Sequence, residues 1–212
     1  MSCISAQKTY AEKELFEGNI VPIEDNIFWA IEPKYKDLIP LGLLRRMSKL
    51  VRMSVGTSLP FLNEYKSIDS IIFASANGSA ENSSKFLNQI IEFDEGTLTP
   101  TNFVQSTSNA VAGILAVMGK KTGYNNTHIN QGLAFEAALL DALMLFEEGK
   151  SKQLLLGGGE EMYTSIYNID EQQDAYKDEA IDASDLLTAE TKGTLPGEGV
   201  TMFVIDEQQH DD

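Results

Sequence analysis

Residues 133–146 constrain the fold more than any other part of the sequence. Only Glu136 and Asp141 are polar in this segment, and at about 100° per residue they lie roughly 140° apart around a helix. No continuous polar face remains, so a helix here is predicted to be buried on all sides. A sheet in a chain of 212 residues covers only one of those sides.

A second body is therefore expected to cover the rest of this helix. Burying five large side chains at about 1.5 to 3 kcal/mol each contributes on the order of 10 kcal/mol before association costs. The five are Leu133, Leu140, Leu143, Met144 and Phe146. The alternative is that residues 15–29 and 160–192 of the same chain fold over the helix.

Apolar runs and helical periodicities alternate along the rest of the chain, which predicts an α/β sheet that is parallel for the most part. The predicted strands are residues 68–76, 127–130, 153–156 and 200–206, and the predicted helices are residues 41–62, 79–93, 106–120 and 133–148. We treat residues 1–212 as one domain, with an acidic excursion of little regular structure at 160–192 and a polar tail at 208–212.

Composition excludes several classes of protein. The net charge of -16 repels nucleic acid, and no apolar run approaches the roughly 18 residues that a membrane span needs. Cys3 is the single cysteine, and with two histidines it does not make a zinc site. We expect a cytoplasmic protein with no metal, no cofactor, no membrane and no nucleic acid as partner.

Motifs in the second half of the chain carry a resemblance to a known family. Residues 99–132, TPTNFVQSTSNAVAGILAVMGKKTGYNNTHINQG, look like the β-ketoacyl synthase stretch that runs from the S-T-x-x-N-x-x-A-G helix to the active-site cysteine. Residues 135–161 resemble the nucleophile helix, its closing glycine and the Gly-Gly-x-Glu strand end. GTLPGEGVTMFVIDE, residues 193–207, is similar to the family's G-E-G strand.

The resemblance covers residues 99–207 and continues more weakly towards the N-terminus. It implies one N-terminal half of a thiolase-like fold: a mostly parallel five-stranded sheet with helices on both faces. In that family the nucleophile helix lies in the middle layer, which implies that its natural cover is missing here. The resemblance is strongest to short proteins of aryl polyene and flexirubin pigment pathways that are like chain-length factors.

The family's catalytic cysteine falls on Gly132 when residues are counted without gaps from either side. Its neighbour Gln131 is similar to the glutamine that chain-length factors carry, but that alignment needs two compensating gaps. We therefore expect no catalytic residue. A less favoured reading is a weak acyl-thioester enzyme that uses His128 with Glu160.

The family's other surfaces imply two sets of candidate residues. The interface and acyl-tunnel set is Thr107, Asn109, Ala110, Gly113, Met118, His128 and Phe135. The set for docking an acyl carrier protein is Arg45, Arg46, Lys49, Lys120 and Lys121, with Arg52 on the same predicted helix; a solvated helix face is the alternative for these basic residues.

These observations lead to two main hypotheses. The first is a non-catalytic ketosynthase-like subunit that forms a heterodimer with an active β-ketoacyl synthase. The second is a self-associating scaffold, a homodimer that binds acyl groups or acyl carrier protein.

Overall fold

The computed structural model describes residues 1–6, 8–11, 24–96, 98–182, 185 and 188–208. The strands are β1 Ser2–Ser5, β2 Lys8–Ala11, β3 Glu24–Asp25, β4 Ser70–Ser75, β5 Asn125–Ile129, β6 Gln153–Glu160, β7 Ile181–Asp182 and β8 Gly199–Asp206. The helices are α1 Leu41–Leu44, α2 Lys49–Glu64, α3 Ala80–Glu92, α4 Pro100–Ser106, α5 Ala110–Gly119, α6 Ala134–Glu147 and α7 Thr164–Gln172.

Six strands form the central sheet in the order β2-β1-β8-β6-β4-β5. The α/β class is confirmed, but the sheet is mixed. Strand β4 is parallel to β5 and β6, whereas β6, β8, β1 and β2 pair antiparallel in turn. The expectation of five mostly parallel strands missed the hairpin of β1 and β2. That expectation relied on strands alternating with helices, and antiparallel strands pair without a crossover helix between them.

The buried strand β4 has a different helix layer on each face. Ile71 and Phe73 point into the larger core cluster, which α2 and α5 fill with side chains such as Met53 and Leu115. Ile72 and Ala74 point the opposite way, towards α6. This alternation follows from the two-residue period of a strand.

Helix α6 meets the sheet through small side chains. Ala134, Ala138 and Ala142 are buried at four-residue spacing, with Leu145 at the end of the row. The large side chains point away: Leu133 is 63% exposed, Leu140 59%, Leu143 54% and Met144 49%. The sheet covers one side of this helix, as predicted, and the described parts of residues 15–29 and 160–192 leave these side chains exposed. Residues 15–23 lie outside the described part.

Three predicted segments were wrong in detail. Residues 41–62 form two helices rather than one, because the Ser48 hydroxyl caps α2 by accepting the Val51 N–H at 3.3 Å. Residues 107–109 are not helical, and the chain turns there between α4 and α5. Strand β6 continues through its glycines to Glu160, still paired with β8. The two strands lie so close that a Cβ at Gly157 would be 2.5 Å from the Thr201 oxygen.

The acidic excursion at 160–192 contains more regular structure than predicted. It includes α7 and the strand β7, which pairs with β3. The Tyr167 and Tyr176 rings stack at 5.2 Å, and the Tyr176 hydroxyl donates to Asp170 at 3.0 Å. These contacts join the helix to Tyr176, which lies outside it, so an argument from periodicity does not predict them. Only residue 208 of the predicted tail is described.

Candidate functional site

The turn between β5 and α6 is where the resemblance places a nucleophile. Gln131 has a φ of 45°, in the left-handed region that non-glycine residues rarely adopt. A Cβ added to Gly132 would meet nothing within 4 Å. Both residues line a cavity of about 260 Å³ together with Ser75, Phe135 and Glu160. The site is therefore open and contains no thiol.

Glu160 is the acidic group of this cavity. It accepts hydrogen bonds from the Ser75 hydroxyl at 2.8 Å and from the Ala76 N–H, so it anchors the turn that follows β4. Burial raises the pKa of Glu160 despite these hydrogen bonds. Burial disfavours the charged form of a carboxyl, and the hydrogen bonds to Glu160 offset only part of that effect.

His128 has a different partner from the one considered for it. Its Nε2 lies 2.8 Å from the Asp141 carboxylate of α6, and that carboxylate also accepts from the Tyr124 hydroxyl at 2.9 Å. Burial and then the Asp141 contact raise the pKa of Tyr124. The structure therefore places His128 in a polar network between β5 and α6, and Glu160 has its own partners after β4.

The role of Asp141 was missed from the sequence. The available signal was its isolation on an otherwise apolar helix, since a polar group in such a position needs a partner.

Five of the predicted tunnel residues line one cavity of about 440 Å³, between α1, α4 and α5. They are Thr107, Asn109, Ala110, Gly113 and Met118. Leu43, Val104, Ile114 and Val117 give the cavity an apolar wall, and Arg46 also lines it. Its volume is in the range of about 300 to 1,000 Å³ that small-molecule sites occupy.

The remaining predicted tunnel residues lie elsewhere. Phe135 lines the cavity at Gly132, with its ring 6.1 Å from that of Phe203, and His128 belongs to the network described above. Asn109 also binds β5, because its amide donates to Asn125 at 2.7 Å and accepts from the Thr127 hydroxyl at 2.9 Å. Asn109 therefore fixes the start of α5 on the edge strand.

The five predicted docking residues differ in their environments. Lys49 forms an ion pair with the buried carboxylate of Glu198. The charge of Lys49 is therefore already paired within the chain. Arg45, Arg46 and Lys120 are exposed. Lys121 reaches back to the carbonyl oxygen of Lys66 at 2.9 Å. Their assignment to a carrier protein stays a prediction.

Strand β5 is an edge strand of the central sheet. Among the described strands it pairs with β4 alone, so its outer backbone edge is available for another strand. Tyr124, just before β5, and Ile129, its last residue, are each 41% exposed. Val117, on the helix α5 that packs against β5, is 79% exposed. An exposed apolar surface beside a free edge is typical of an interaction site.

Comparison with known proteins identifies the class. The family model described as "Beta-ketoacyl synthase, N-terminal domain" matches residues 25–195. The chain therefore belongs to the β-ketoacyl synthase N-terminal domain family. A search of curated proteins gave no match.

Solved structures agree on the fold. A chain of the complex of the ketosynthase ApeO with its chain length factor ApeC, from Xenorhabdus doucetiae, is 19% identical with a TM-score of 0.70, covering 98% of this chain and 76% of that one. A chain of the ishigamide ketosynthase/chain length factor is 17% identical with a TM-score of 0.70, covering 97% of this chain and 60% of that one.

A β-ketoacyl synthase from Burkholderia phymatum STM815 is 16% identical with a TM-score of 0.71, covering 98% of this chain and 58% of that one. The chain thus spans about three-fifths of two of these neighbours and three-quarters of the other. At such identities the likeness shows the fold, and the N-terminal half of a thiolase-like fold is confirmed.

Two kinds of feature are absent from the described part of the chain. None of its helices combines the length and apolar character needed to cross a membrane. No three acidic, histidine or cysteine side chains are grouped there so that they would hold a metal ion.

Proposed function

We propose that the chain is a non-catalytic ketosynthase-like subunit that pairs with an active β-ketoacyl synthase in fatty acid, polyene or type II polyketide-like biosynthesis. One observation carries the proposal: the turn before α6 presents Gln131 and Gly132 to an open cavity, where a condensing enzyme needs a thiolate. The chain's one cysteine, Cys3, is buried in β1. The chain then contributes surfaces to the complex.

The partner surface in this proposal is the edge strand β5 with the exposed side of α5. Strand addition satisfies the outer backbone groups of β5 through main-chain hydrogen bonds. Val117 and Ile129 supply apolar contacts beside that strand. The outer edge of β5 is thereby joined to a second sheet, and the cavity of about 440 Å³ comes to lie beside the subunit contact.

The cavity and the basic residues have subordinate roles in the proposal. Thr107, Gly113 and Met118 shape the wall of an acyl tunnel shared with the partner. Arg45, Arg46, Lys120 and Lys121 attract an acidic acyl carrier protein by complementary charge. The complex works in the cytoplasm.

The test is the mass in solution of the purified chain, alone and mixed with the ketosynthase encoded beside it. We expect a one-to-one complex, and we expect Val117→Asp to abolish it. Ile169→Asp on α7, which also places a charge at an exposed apolar position, serves as the control and leaves the complex intact. A stable monomer with no affinity for any ketosynthase or carrier protein would contradict the proposal.

The second candidate is the self-associating scaffold, which the exposed leucines of α6 favour. Its signature is a homodimer of the isolated chain that Leu140→Asp disrupts and Val117→Asp does not. The ketosynthase complex has the opposite pattern, so the two variants separate the two functions.

A further inference from the structure

Four exposed apolar side chains lie close together in the N-terminal part of the chain. They are Trp29, Ile31, Leu38 and Leu41, which are 52%, 50%, 43% and 58% exposed. We call these four side chains the Trp29 surface. Exposed apolar side chains that form a contiguous patch mark an interaction site, and the packing of residues 29–44 brings these four onto one side of the molecule.

Residues 29–35 form a ribbon along the outside of α2. Three contacts fix the ribbon, and in chain order they join Trp29 to Lys49, Glu32 to Arg52 and Tyr35 to Gly56. Positions 49, 52 and 56 share one face of α2, because residues three and four apart on a helix are neighbours. The ribbon therefore covers that face of α2.

Helix α1 lies beside this ribbon. A shallow cleft of about 490 Å³ is lined by both, including Tyr35 of the ribbon and Leu44 at the end of α1. Between the ribbon and the helix, Ile39 is 1% exposed and belongs to the larger core cluster. Leu38 and Leu41 lie on either side of this buried anchor and remain outside. The ribbon and α1 thus present one outer surface.

The Trp29 surface lines neither of the two cavities nearby. Leu43 and Arg46 line the cavity of about 440 Å³, whereas Leu44 and Arg45 line the cleft of about 490 Å³. Projecting apolar side chains with no pocket of their own do not enclose a small molecule. They suit a fluid phase, into which side chains insert without a surface of matching shape.

Basic residues set the Trp29 surface apart from the exposed apolar faces of α6 and α3. Residues 29–46 contain four basic and two acidic residues, in a chain of net charge -16. Lys34 and Lys36 are exposed there, and the Glu32 carboxylate is bound by Arg52. By contrast, exposed acidic residues cluster at the ends of α6 and α3, namely Glu147 and Glu148 in the first and Glu92, Asp94 and Glu95 in the second.

We propose that the Trp29 surface binds the face of a lipid bilayer that contains anionic lipids. Trp29, Leu38 and Leu41 enter the boundary between headgroups and acyl chains, where tryptophan is enriched. Lys34 and Lys36 attract the anionic headgroups. Acidic residues elsewhere on the chain oppose this attraction weakly, because salt screens charges that lie beyond about 10 Å.

This contact needs no membrane span. The expectation of no membrane partner rested on the lack of a long apolar run, which excludes a span but leaves contact at the membrane surface open. The proposal therefore replaces that expectation, and it requires no ketosynthase partner.

The test is binding of the isolated chain to phospholipid vesicles, measured by co-sedimentation. Vesicles of phosphatidylcholine alone are compared with vesicles of equal parts phosphatidylcholine and phosphatidylglycerol, and we expect about tenfold tighter binding to the anionic mixture. Trp29 is the single tryptophan of the chain, so its fluorescence reports on this surface directly. We expect its emission to shift to shorter wavelength on binding, because the ring leaves water.

Two leucines of equal exposure give the first matched pair of variants. Leu41→Ser is expected to weaken binding to the anionic vesicles about tenfold. Leu87→Ser on α3 changes a leucine that is also 58% exposed, and we expect it to change binding by less than about twofold.

Two pairs of exposed lysines give the second comparison. Lys34→Glu combined with Lys36→Glu is expected to weaken binding to the anionic vesicles about tenfold or more. Lys150→Glu combined with Lys152→Glu changes the net charge equally, at exposed positions that precede β6. We expect this control to change binding by less than about twofold.

Absence of binding to the anionic vesicles would overturn the proposal. Binding that leaves the Trp29 emission unchanged would also overturn it, since another surface would then contact the lipid. Equal losses from the two lysine pairs would reduce the effect to net charge, with the same consequence. If a purified acyl carrier protein binds with the same dependence on Leu41 and vesicles do not bind, the surface belongs to an acidic protein instead. None of these results depends on whether a ketosynthase complex forms.

Discussion

On one face of the central sheet, α2 and α5 bury large side chains against β4, whereas on the other face α6 meets the sheet through alanines. Leu115, Met53 and Phe73 are completely buried on the first face. On the second, Leu140 and Leu143 remain more than half exposed. The large apolar side chains of the first face are buried within the chain, whereas those of the second face are exposed and available to contact another molecule.

This difference teaches that an apolar helix and a buried helix are separate properties. The α6 sequence is as apolar as a core segment, yet its small residues occupy the row that touches the sheet. Large side chains then point outward, where they contribute nothing to folding of the isolated chain and remain available for association. The side chains that stabilise the fold and those that are available for association are therefore different residues of the chain.

The largest expected effect comes from truncating one leucine on each face. Leu115→Ala leaves a cavity in the filled core and is expected to cost about 3 kcal/mol of unfolding free energy. Leu140→Ala removes an exposed side chain and is expected to cost less than about 0.5 kcal/mol. Urea denaturation of the two variants measures both values. Equal losses would mean that the α6 face is already covered in the isolated chain.

A smaller effect is expected from two adjacent glycines of β6 that face opposite ways. A Cβ at Gly157 would lie 2.1 Å from the Met202 sulfur and 2.5 Å from the Thr201 oxygen, whereas one at Gly158 would meet Ala74 and Phe135 at 3.3 to 3.5 Å. We expect Gly157→Ala to cost about 2 kcal/mol and Gly158→Ala less than about 1 kcal/mol. Thermal unfolding of both variants checks the order, and a costlier Gly158→Ala would contradict the looser packing of the α6 face.

Much of the fold was predictable because its signals are local. The continuous apolar run of β4 and the almost entirely apolar segment of α6 predicted elements close to those observed. The position of β1 beside β8 was not predictable, since it depends on pairing between Ser2 and Met202 across nearly the whole chain. Helix α7 was missed for a different reason, because its sequence is weakly periodic and Tyr176 contacts it from outside the helix.

The candidate site was predictable only in part. Motif order placed Thr107, Gly113 and Met118 together, and they line one cavity. The partners of His128 and Lys49 could not be inferred, because Asp141 and Glu198 reach them through the tertiary structure. Motif order therefore predicted residues that share a cavity, whose function stays a prediction, and only the structure showed which charges are satisfied within the chain.

The smallest effect on stability is expected where the α6 face is most open, at the turn that precedes the helix. Gly132→Cys introduces a Cβ that meets nothing within 4 Å, so we expect a change of less than about 0.5 kcal/mol in unfolding free energy. The new thiol lies at a helix N-terminus, which favours the thiolate. Mass spectrometry after iodoacetamide treatment is expected to show one adduct on the folded variant and none on the parent, whose Cys3 is 5% exposed. A variant that reacts only after unfolding would show that this cavity is closed in solution, and the contrast between a filled and an open face would then be confined to the outer surface of α6.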